Sequence, residues 1–244
     1  MTFNRKEFEL EKRKFAKKQY LDKKLQKISL KFIEESDKYN YGYQWTWFDL
    51  PIIQLPSDIL LTQEIIFKTK PDLIIETGIA WGGSVVYYAS IMELIGKGEI
   101  IGVDTVLPSK NIKKIKSYHF SSRIKLIKGS STDKKILEKI EKFINPKSKV
   151  MVILDSNHTF EHVYSELILY SKLVSKNCFL ICCDTIVDCI PEQKHRKRKW
   201  TKANNPMTAL KKFLKDNDNF EVDEYYNKKL ITTYSPSGYL KKVK

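Results

Sequence analysis

Four acidic residues stand where four apolar runs stop, and they are the first sign of chemistry in this chain. Glu76 lies near the end of the run Leu73–Thr77, Asp104 closes Glu99–Asp104, Asp155 follows Lys149–Leu154, and Asp184 follows Cys178–Cys183. Short runs of Ile, Val and Leu without polar alternation are the pattern of strands buried on both faces of a parallel sheet. Ligands of open α/β sheets bind outside the carboxyl ends of the strands, so the four carboxylates are expected to converge on one crevice. Asp155 and Asp184 would repel each other there unless a cation or a proton intervened. Mg2+ is the hard, oxygen-seeking ion that such a pair suits, and a hydroxyl held beside it loses its proton more readily. His158, shortly after Asp155, is the candidate base for that proton. A helix-capping or core histidine is the alternative reading of the same residue.

The stretch Gly78-Ile79-Ala80-Trp81-Gly82-Gly83-Ser84 follows the first of these runs and precedes an apolar helical pattern through Val85, Tyr88, Ala89 and Met92. Glycines there let the backbone turn sharply and approach a ligand, and Ser84 is suited to cap the helix. The spacing is neither the dinucleotide G-x-G-x-x-G nor a P-loop, which needs a Lys after the last glycine. An acid before the turn (Glu76) and another at the end of the next strand (Asp104) suit S-adenosylmethionine better than a phosphate ligand. That molecule brings an ammonium group and two ribose hydroxyls. Asp104 is placed to accept the hydroxyls, and the turn Gly129–Asp133, with Ser130 and Ser131, is placed to lie against the adenine. A generic strand-to-helix turn without a ligand is the alternative.

A doubly wound α/β sheet is needed to hold these groups together. The pattern predicts strands at Leu73–Thr77, Glu99–Asp104, Ile124–Lys128, Lys149–Leu154 and Cys178–Cys183, with helices at Ser84–Ile95, Lys110–Ser122, from Asp133 to Phe143, and at Thr159–Val174. Pro206–Leu214 reads as a further helix. Phe220–Tyr225 and Leu230–Tyr234 read as an antiparallel pair joined through Asn227, which completes a mostly parallel seven-stranded sheet. Before it, Glu7–Asp37 reads as one or two helices with a stripe of Phe8, Phe15, Leu21, Leu25, Ile28 and Phe32, packed on the domain or on a partner subunit. Tyr39–Pro56 crowds Tyr39, Tyr41, Tyr43, Trp45, Trp47 and Phe48 into ten residues, as a lid near a binding site or as a strap filling a groove. The expected organisation is an N-terminal extension over residues 1–56 and a main domain over 57–244.

At 244 residues the chain can bury a full core. It has no run of about 18 apolar residues, and MTFNRKEFELEKRKF lacks the apolar core of a signal peptide, so a cytoplasmic protein without a transmembrane segment is expected. Cys178, Cys182, Cys183 and Cys189 form neither a zinc spacing nor a disulfide framework. The net charge of +15 invites a nucleic-acid reading, but only five of the 44 basic residues are Arg and the Lys are dispersed, so nucleic acid is not the expected partner. Denser stretches are Arg5–Lys31 and Lys194–Lys202, the second with His195, Arg196, Lys197, Arg198 and Trp200. They suit an anionic partner such as a nucleotide-linked sugar, a membrane surface or RNA. His158, Glu161 and His162 also match H-x-x-E-H. That zinc chemistry needs both histidines on one face of an established helix, whereas His158 directly follows a strand end, so a chance match is expected.

Taken together, Trp45–Pro56, Pro71–Ser84, Ile100–Asp104, Gly129–Asp133, Leu154–Glu166 and Cys183–Val187 resemble the cephalosporin hydroxylase/rhamnosyl O-methyltransferase family, over about residues 40–190. The resemblance implies the class I S-adenosylmethionine-dependent methyltransferase fold and a divalent-metal-assisted O-methyl transfer to a hydroxyl of a sugar or secondary metabolite. It implies that Glu76, Gly78, Ser84, Asp104 and Ser131 serve the cofactor, with Ala80, Gly82, Ser130 and the neighbouring Asp155 completing its lining. Asp155 and Asp184 would hold the metal, and His158 would stand beside the acceptor. The family commonly has Glu-Asp where this chain has Cys183-Asp184, and a thiol is a poor Mg2+ ligand. Thr185 or Asp188 as a substitute third ligand, or a weaker metal site, are the alternatives this leaves. Trp81 replaces a frequent His and would place an aromatic ring near the sulfonium. An O-methyltransferase acting on a sugar or glycosylated metabolite, in polysaccharide or natural-product assembly, is the expected function. An RNA methyltransferase using residues 194–202 and a catalytically silent cofactor-binding subunit are the rivals. A homo-oligomer through the N-terminal helix is the expected assembly.

Overall fold

Each of the five apolar runs forms a strand. In the computed structural model, which describes residues 3–244, two helices come first, α1 (Arg5–Leu21) and α2 (Lys23–Asp37). A short antiparallel ribbon follows, β1 (Thr46–Trp47) with β2 (Leu50–Pro51). Helices and strands then alternate through α3 (Pro56–Thr69), β3 (Leu73–Thr77), α4 (Gly83–Ile95), β4 (Glu99–Asp104), α5 (Ser109–Lys116) and β5 (Ile124–Lys128). The alternation continues with α6 (Lys134–Glu141), β6 (Val150–Leu154), α7 (Phe160–Tyr170) and β7 (Phe179–Cys182). After these come α8 (Pro206–Asp216), β8 (Phe220–Val222), α9 (Glu224–Lys229) and β9 (Tyr239–Lys242).

The main sheet has seven strands in the order β5-β4-β3-β6-β7-β9-β8, parallel except for β9, which runs antiparallel to both of its neighbours. This is the doubly wound, mostly parallel architecture, with the order reversing between β3 and β6. Register fixes what emerges at its carboxyl edge. Thr77 pairs with Val103 of β4 and with Leu154 of β6, and Leu154 pairs with Cys182 of β7. Gly78, Asp104, Asp155 and Cys183 therefore leave the sheet at one level, and Asp184 comes one residue later.

Helix α4 explains the aromatic strap. Every residue from Gly83 to Met92 is buried, so the helix is apolar all round and needs cover on the side away from the sheet. The β1–β2 ribbon supplies it. The Trp47 ring meets Tyr87 edge-on at 4.8 Å, and its Nε1 donates to Ser90 Oγ at 3.1 Å. The chain then runs through Pro51–Gln54 along the crevice.

Two expectations are corrected. The second strand of the terminal pair is β9, not Leu230–Tyr234, and the segment through Asn227 is the helix α9, capped by Asp223. The backbone of 230–234 is held by side chains instead. Ser57 Oγ donates to the Thr232 carbonyl at 2.6 Å, Ser29 Oγ donates to that of Ile231, and the Tyr234 amide donates to Asp58 at 2.8 Å. The N-terminal stripe faces away from the domain, so of its two expected placements only packing on a partner subunit stays open. Phe8, Phe15, Leu21, Ile28 and Phe32 are exposed, while Ala16, Ser29, Ile33 and Asp37 face the domain. Small and branched side chains pack closer here than the larger ones would, with α1 against α9 and Ile33 against Ile186 and Ile190.

Asp58 ties α3 to the C-terminal segment. Its carboxylate accepts from Thr233 Oγ1 at 2.5 Å, the Tyr234 amide at 2.8 Å and Tyr239 Oη at 2.7 Å. Burial pushes its carboxyl up from 3.8 to about 6 against the pull of these donors. Because the folded value is the higher one, the folded state is favoured most below the unfolded value, and this contribution is lost as pH rises towards about 6. The stability advantage of the native chain over Asp58→Asn should shrink by about 2–3 kcal/mol between roughly pH 4 and pH 6.5 and stay flat above. Denaturant titrations at the two pH values measure it, and an unchanged difference would refute the buried setting.

Candidate active site

Gly78 determines how close β3 and β6 come at the crevice floor. Its φ is +78°, and a Cβ there would lie 2.2 Å from the Asp155 carbonyl oxygen and 2.4 Å from Ser156 Cα. The turn after it is closed by Asp104, whose Oδ2 accepts the amides of Ile79 and Ala80, both at 3.0 Å. Its Oδ1 accepts the Val106 amide at 3.0 Å. Asp104 thus holds the turn from the neighbouring strand, while both its oxygens stay on the crevice wall. Ala80 itself adopts φ +45° and is exposed, and Gly82 at φ +88° begins α4.

Glu76 is fully buried under the turn. Ser84 Oγ donates to its Oε2 at 2.8 Å, and its Oε1 has no hydrogen-bond partner. Burial pushes its carboxyl from 4.5 up to about 8, Ser84 and Tyr88 pull it down, and Asp104 adds repulsion. An orphaned oxygen on a buried carboxyl needs a donor or a cation. Ser84 serves Glu76 rather than acting as a helix cap, since the cap position of α4 is Gly82 and no side chain caps the helix.

Two cavities flank this turn. One, of about 190 Å³, is lined by Pro51–Gln54, Gly78–Ala80, Ser84, Asp104, Asp155, His158 and Asp184. The other, of about 360 Å³, is lined by Asp104, Thr105, Gly129, Ser130, Ser131, Ser156 and His162, and shares Gly78 with the first. The glycine turn and Asp104 therefore border both halves of the crevice, and Gly129–Ser131 border the second. Its size, the close backbone at Gly78 and the free oxygen of Glu76 fit an elongated ligand with a cationic end and a ribose.

Beside it, one ligand atom each from Asp155, His158 and Asp184 lies within 4.8 Å of the other two. His158 Nε2 is 3.4 Å from Asp184 Oδ2. Burial pushes the Asp155 carboxyl well above its usual range, with Asp184 and then Glu76 adding repulsion and Gln54 opposing through a hydrogen bond. Two carboxylates beside one imidazole, short of positive charge, fit a divalent cation. Thr185 does not join them. It is fully buried, and its hydroxyl donates to the Pro236 carbonyl at 2.6 Å. Asp188 is turned to Lys211 at 2.8 Å. Cys183 is buried beside Asp155, and desolvation, with that neighbour's charge, keeps its thiol protonated. Trp81 is 52 % exposed and lines neither cavity.

Several side chains of the site gave little signal in the sequence. His162 Nε2 sits 3.1 Å from Ser131 Oγ and 3.0 Å from Ser156 Oγ, and Ser156 Oγ donates to the fully buried Glu166 at 2.7 Å. Tyr170 Oη donates to the Ser131 carbonyl at 2.9 Å. His162 and His158 thus serve different walls of the crevice, which separates the two histidines of the H-x-x-E-H match. Trp200 meets the His158 ring edge-on at 4.8 Å. Only the spacing of His162 and Glu166 on one helix face hinted at the first group.

The family model described as "Rhamnosyl O-methyltransferase/CmcI" matches residues 39–243. A rhamnosyl O-methyltransferase of Mycobacterium tuberculosis is 32% identical over 164 residues, covering 65% of this chain and 65% of that protein. This chain thus spans just under two thirds of that relative's length. A rhamnosyl O-methyltransferase of Mycobacterium leprae is 27% identical over 214 residues, 85% of this chain and 89% of that protein. Among solved structures, an apo form of CmcI superposes with a TM-score of 0.59 at 17% identity, covering 83% of this chain and 77% of that one. A CmcI described as holding Mg and SAM gives 0.59 at 16% identity, covering 83% and 78%. An O-methyltransferase from Bacillus cereus in complex with SAH gives 0.51 at 14% identity, covering 78% and 81%. At these identities the structures establish the shared fold.

Replacing Gly78 by Ala forces a Cβ against the Asp155 carbonyl and strains a left-handed backbone, a cost of about 2–4 kcal/mol. A lowered melting temperature is expected, with affinity for S-adenosylhomocysteine down about tenfold or more by calorimetry. Unchanged affinity would remove the turn from the ligand site.

Proposed function

The chain belongs to the rhamnosyl O-methyltransferase/CmcI family, and on that premise we propose that it is an S-adenosylmethionine-dependent O-methyltransferase acting on a sugar hydroxyl. The observation that carries this reading is the contact between two halves of one crevice. The glycine turn lies directly against the strand end that bears Asp155, and Asp155 stands with His158 and Asp184. When bound, S-adenosylmethionine supplies an electrophilic methyl group, and Mg2+ supplies positive charge beside the acceptor.

In this reading Gly78, Ala80, Asp104, Ser130 and Ser131 line the cofactor half, with Asp104 toward its ribose, while Glu76 and Gly82 lie behind that lining and support the turn, the unpartnered Glu76 Oε1 being the buried acceptor nearest an ammonium. Asp155 and Asp184 hold the ion, and Thr185 has no part in it. His158 Nε2 would receive the hydroxyl proton as the acceptor oxygen bonds to the methyl carbon and the methyl–sulfur bond breaks, leaving S-adenosylhomocysteine. Pro51–Gln54 roof the site and keep water from competing for the methyl group. Most of the rate enhancement then comes from positioning. The basic run supports the sugar reading over RNA, because Arg196 pairs with the buried Asp37 and Trp200 packs on His158 instead of forming a free ridge.

Among the described residues no helix is long and apolar enough to cross a membrane. Four unpaired cysteines support a reducing, cytoplasmic setting. The exposed Phe8, Phe15 and Phe32 support a homo-oligomer through α1 and α2.

Asp155→Asn should lower turnover by about 10³-fold or more while S-adenosylhomocysteine affinity stays within about threefold. Loss of both together would break the assignment of roles. Chelation should abolish transfer, and Mg2+ should restore it. By light scattering the chain should exceed the monomer mass, and Phe8→Ser with Phe15→Ser should return it to the monomer; a monomeric native chain would sink the oligomer.

A further inference from the structure

Beyond the pair Asp155–Asp184, the crevice continues under the segment 191–202. We propose, resting on the methyltransferase reading, that the acceptor sugar bears a phosphate, as a sugar phosphate or a nucleoside diphosphate sugar, and that Arg198 reads it. Two cavities carry this proposal. One is lined by Asp184, Tyr43, Arg196, Arg198 and Trp200, and the next, of about 200 Å³, by Lys194, Arg196, Arg198, Trp200 and Lys202. Shared walls join them to the place where the hydroxyl would react.

The cations there are not equivalent. Arg196 pairs with Asp37, which is 3 % exposed, and His195 Nε2 lies 2.9 Å from the same carboxylate. That cluster is internally balanced and pins the segment to α2. Arg198 has no acidic partner among the described residues. Its Nη2 donates to the neutral Tyr43 hydroxyl at 2.9 Å, and its guanidinium lies 4.9 Å from the Trp200 ring centre. Lys194 and Lys202 line the same cavity and make no ion pair among the described residues, and Glu192 is the one acid in its wall.

Trp200 therefore has a guanidinium near one part of its ring and His158 near another. A sugar ring beside Trp200 would bring a hydroxyl to His158 while its phosphate met Arg198, Lys194 and Lys202. The planar fork of Arg matches phosphate oxygens two at a time. A neutral glycoside would leave that cationic wall unanswered.

The test titrates the full chain with dTDP-L-rhamnose, L-rhamnose 1-phosphate and methyl α-L-rhamnoside, with and without S-adenosylhomocysteine and Mg2+. The phosphorylated probes should bind about tenfold or more tightly than the methyl rhamnoside. Arg198→Gln should reduce that advantage to about threefold or less, and Lys113→Gln on α5 should leave it intact. Equal affinity for the two phosphorylated probes assigns recognition to the sugar phosphate, and tighter dTDP-L-rhamnose assigns it to the nucleotide-linked sugar. Equal affinity for methyl rhamnoside, or an advantage that survives Arg198→Gln, overturns the proposal and leaves only the diffuse attraction of a chain with net charge +15. S-Adenosylhomocysteine affinity of Arg198→Gln checks its fold. Failure of the native chain to bind that ligand counts against the methyltransferase reading, while the sugar titrations without it still decide this one.

Discussion

The contact between the Gly78 backbone and the Asp155 carbonyl is the constraint on which the crevice depends. Parallel strands bring their ends to one level when their registers agree, and β3, β4, β6 and β7 do so at Thr77, Val103, Leu154 and Cys182. That alignment would still leave a side-chain layer between the two halves if residue 78 carried a Cβ. With glycine there, the turn bends over the end of β6, and the two cavities share a wall made of backbone. Asp104 then secures the turn from the far side through two amides.

The same convergence accumulates negative charge. Glu76 and Glu166, both fully buried, stand near the partly exposed Asp155 and Asp184, and burial is the first cause of the raised carboxyls of Glu76 and Asp155. A purely structural crevice would be more stable with apolar residues at these positions, since unpaired buried charge is costly. Their presence is explained by groups that bring positive charge, and the proposed cofactor and ion each bring it at a different end. Cys183 fits this balance. A third carboxylate at that position would add repulsion beside Asp155, whereas a neutral thiol adds none.

What was legible in the sequence followed from local rules. Unbroken apolar runs gave the parallel strands, and the acids at or near their carboxyl ends gave the crevice, because ligands of an open α/β sheet bind at that edge. Leu230–Tyr234 misled because its alternation resembles a strand, while its hydrogen-bonding groups are satisfied by Ser29, Ser57 and Asp58, contacts from far along the chain. The outward stripe of α1 and α2 was legible only as a face. Periodicity reports a face, and which face meets the domain was decided by Ser29, Ile33 and Asp37. Thr185 could not be placed from its neighbours either, since Asp184 takes a left-handed φ of +55° that turns the next side chain to Pro236.

The aromatic strap and the basic segment gain a shared rationale from α4 and α2. An α4 buried on all sides obliges the chain before it to supply a cover, and the residues that complete the cover, Pro51–Gln54, also form a wall of the crevice. On the opposite side, α2 offers Ile33 and Asp37, which hold Ile186, Ile190, His195 and Arg196. The segment from Asp184 to Trp200 is thereby fixed at both ends, by the sheet and by the N-terminal extension. A sugar site framed this way gets its two walls, Tyr43 and Trp200, from parts of the chain distant in sequence. On the proposed reading the extension, through Tyr43, belongs to the acceptor site, and its aromatic face stays exposed on the other side.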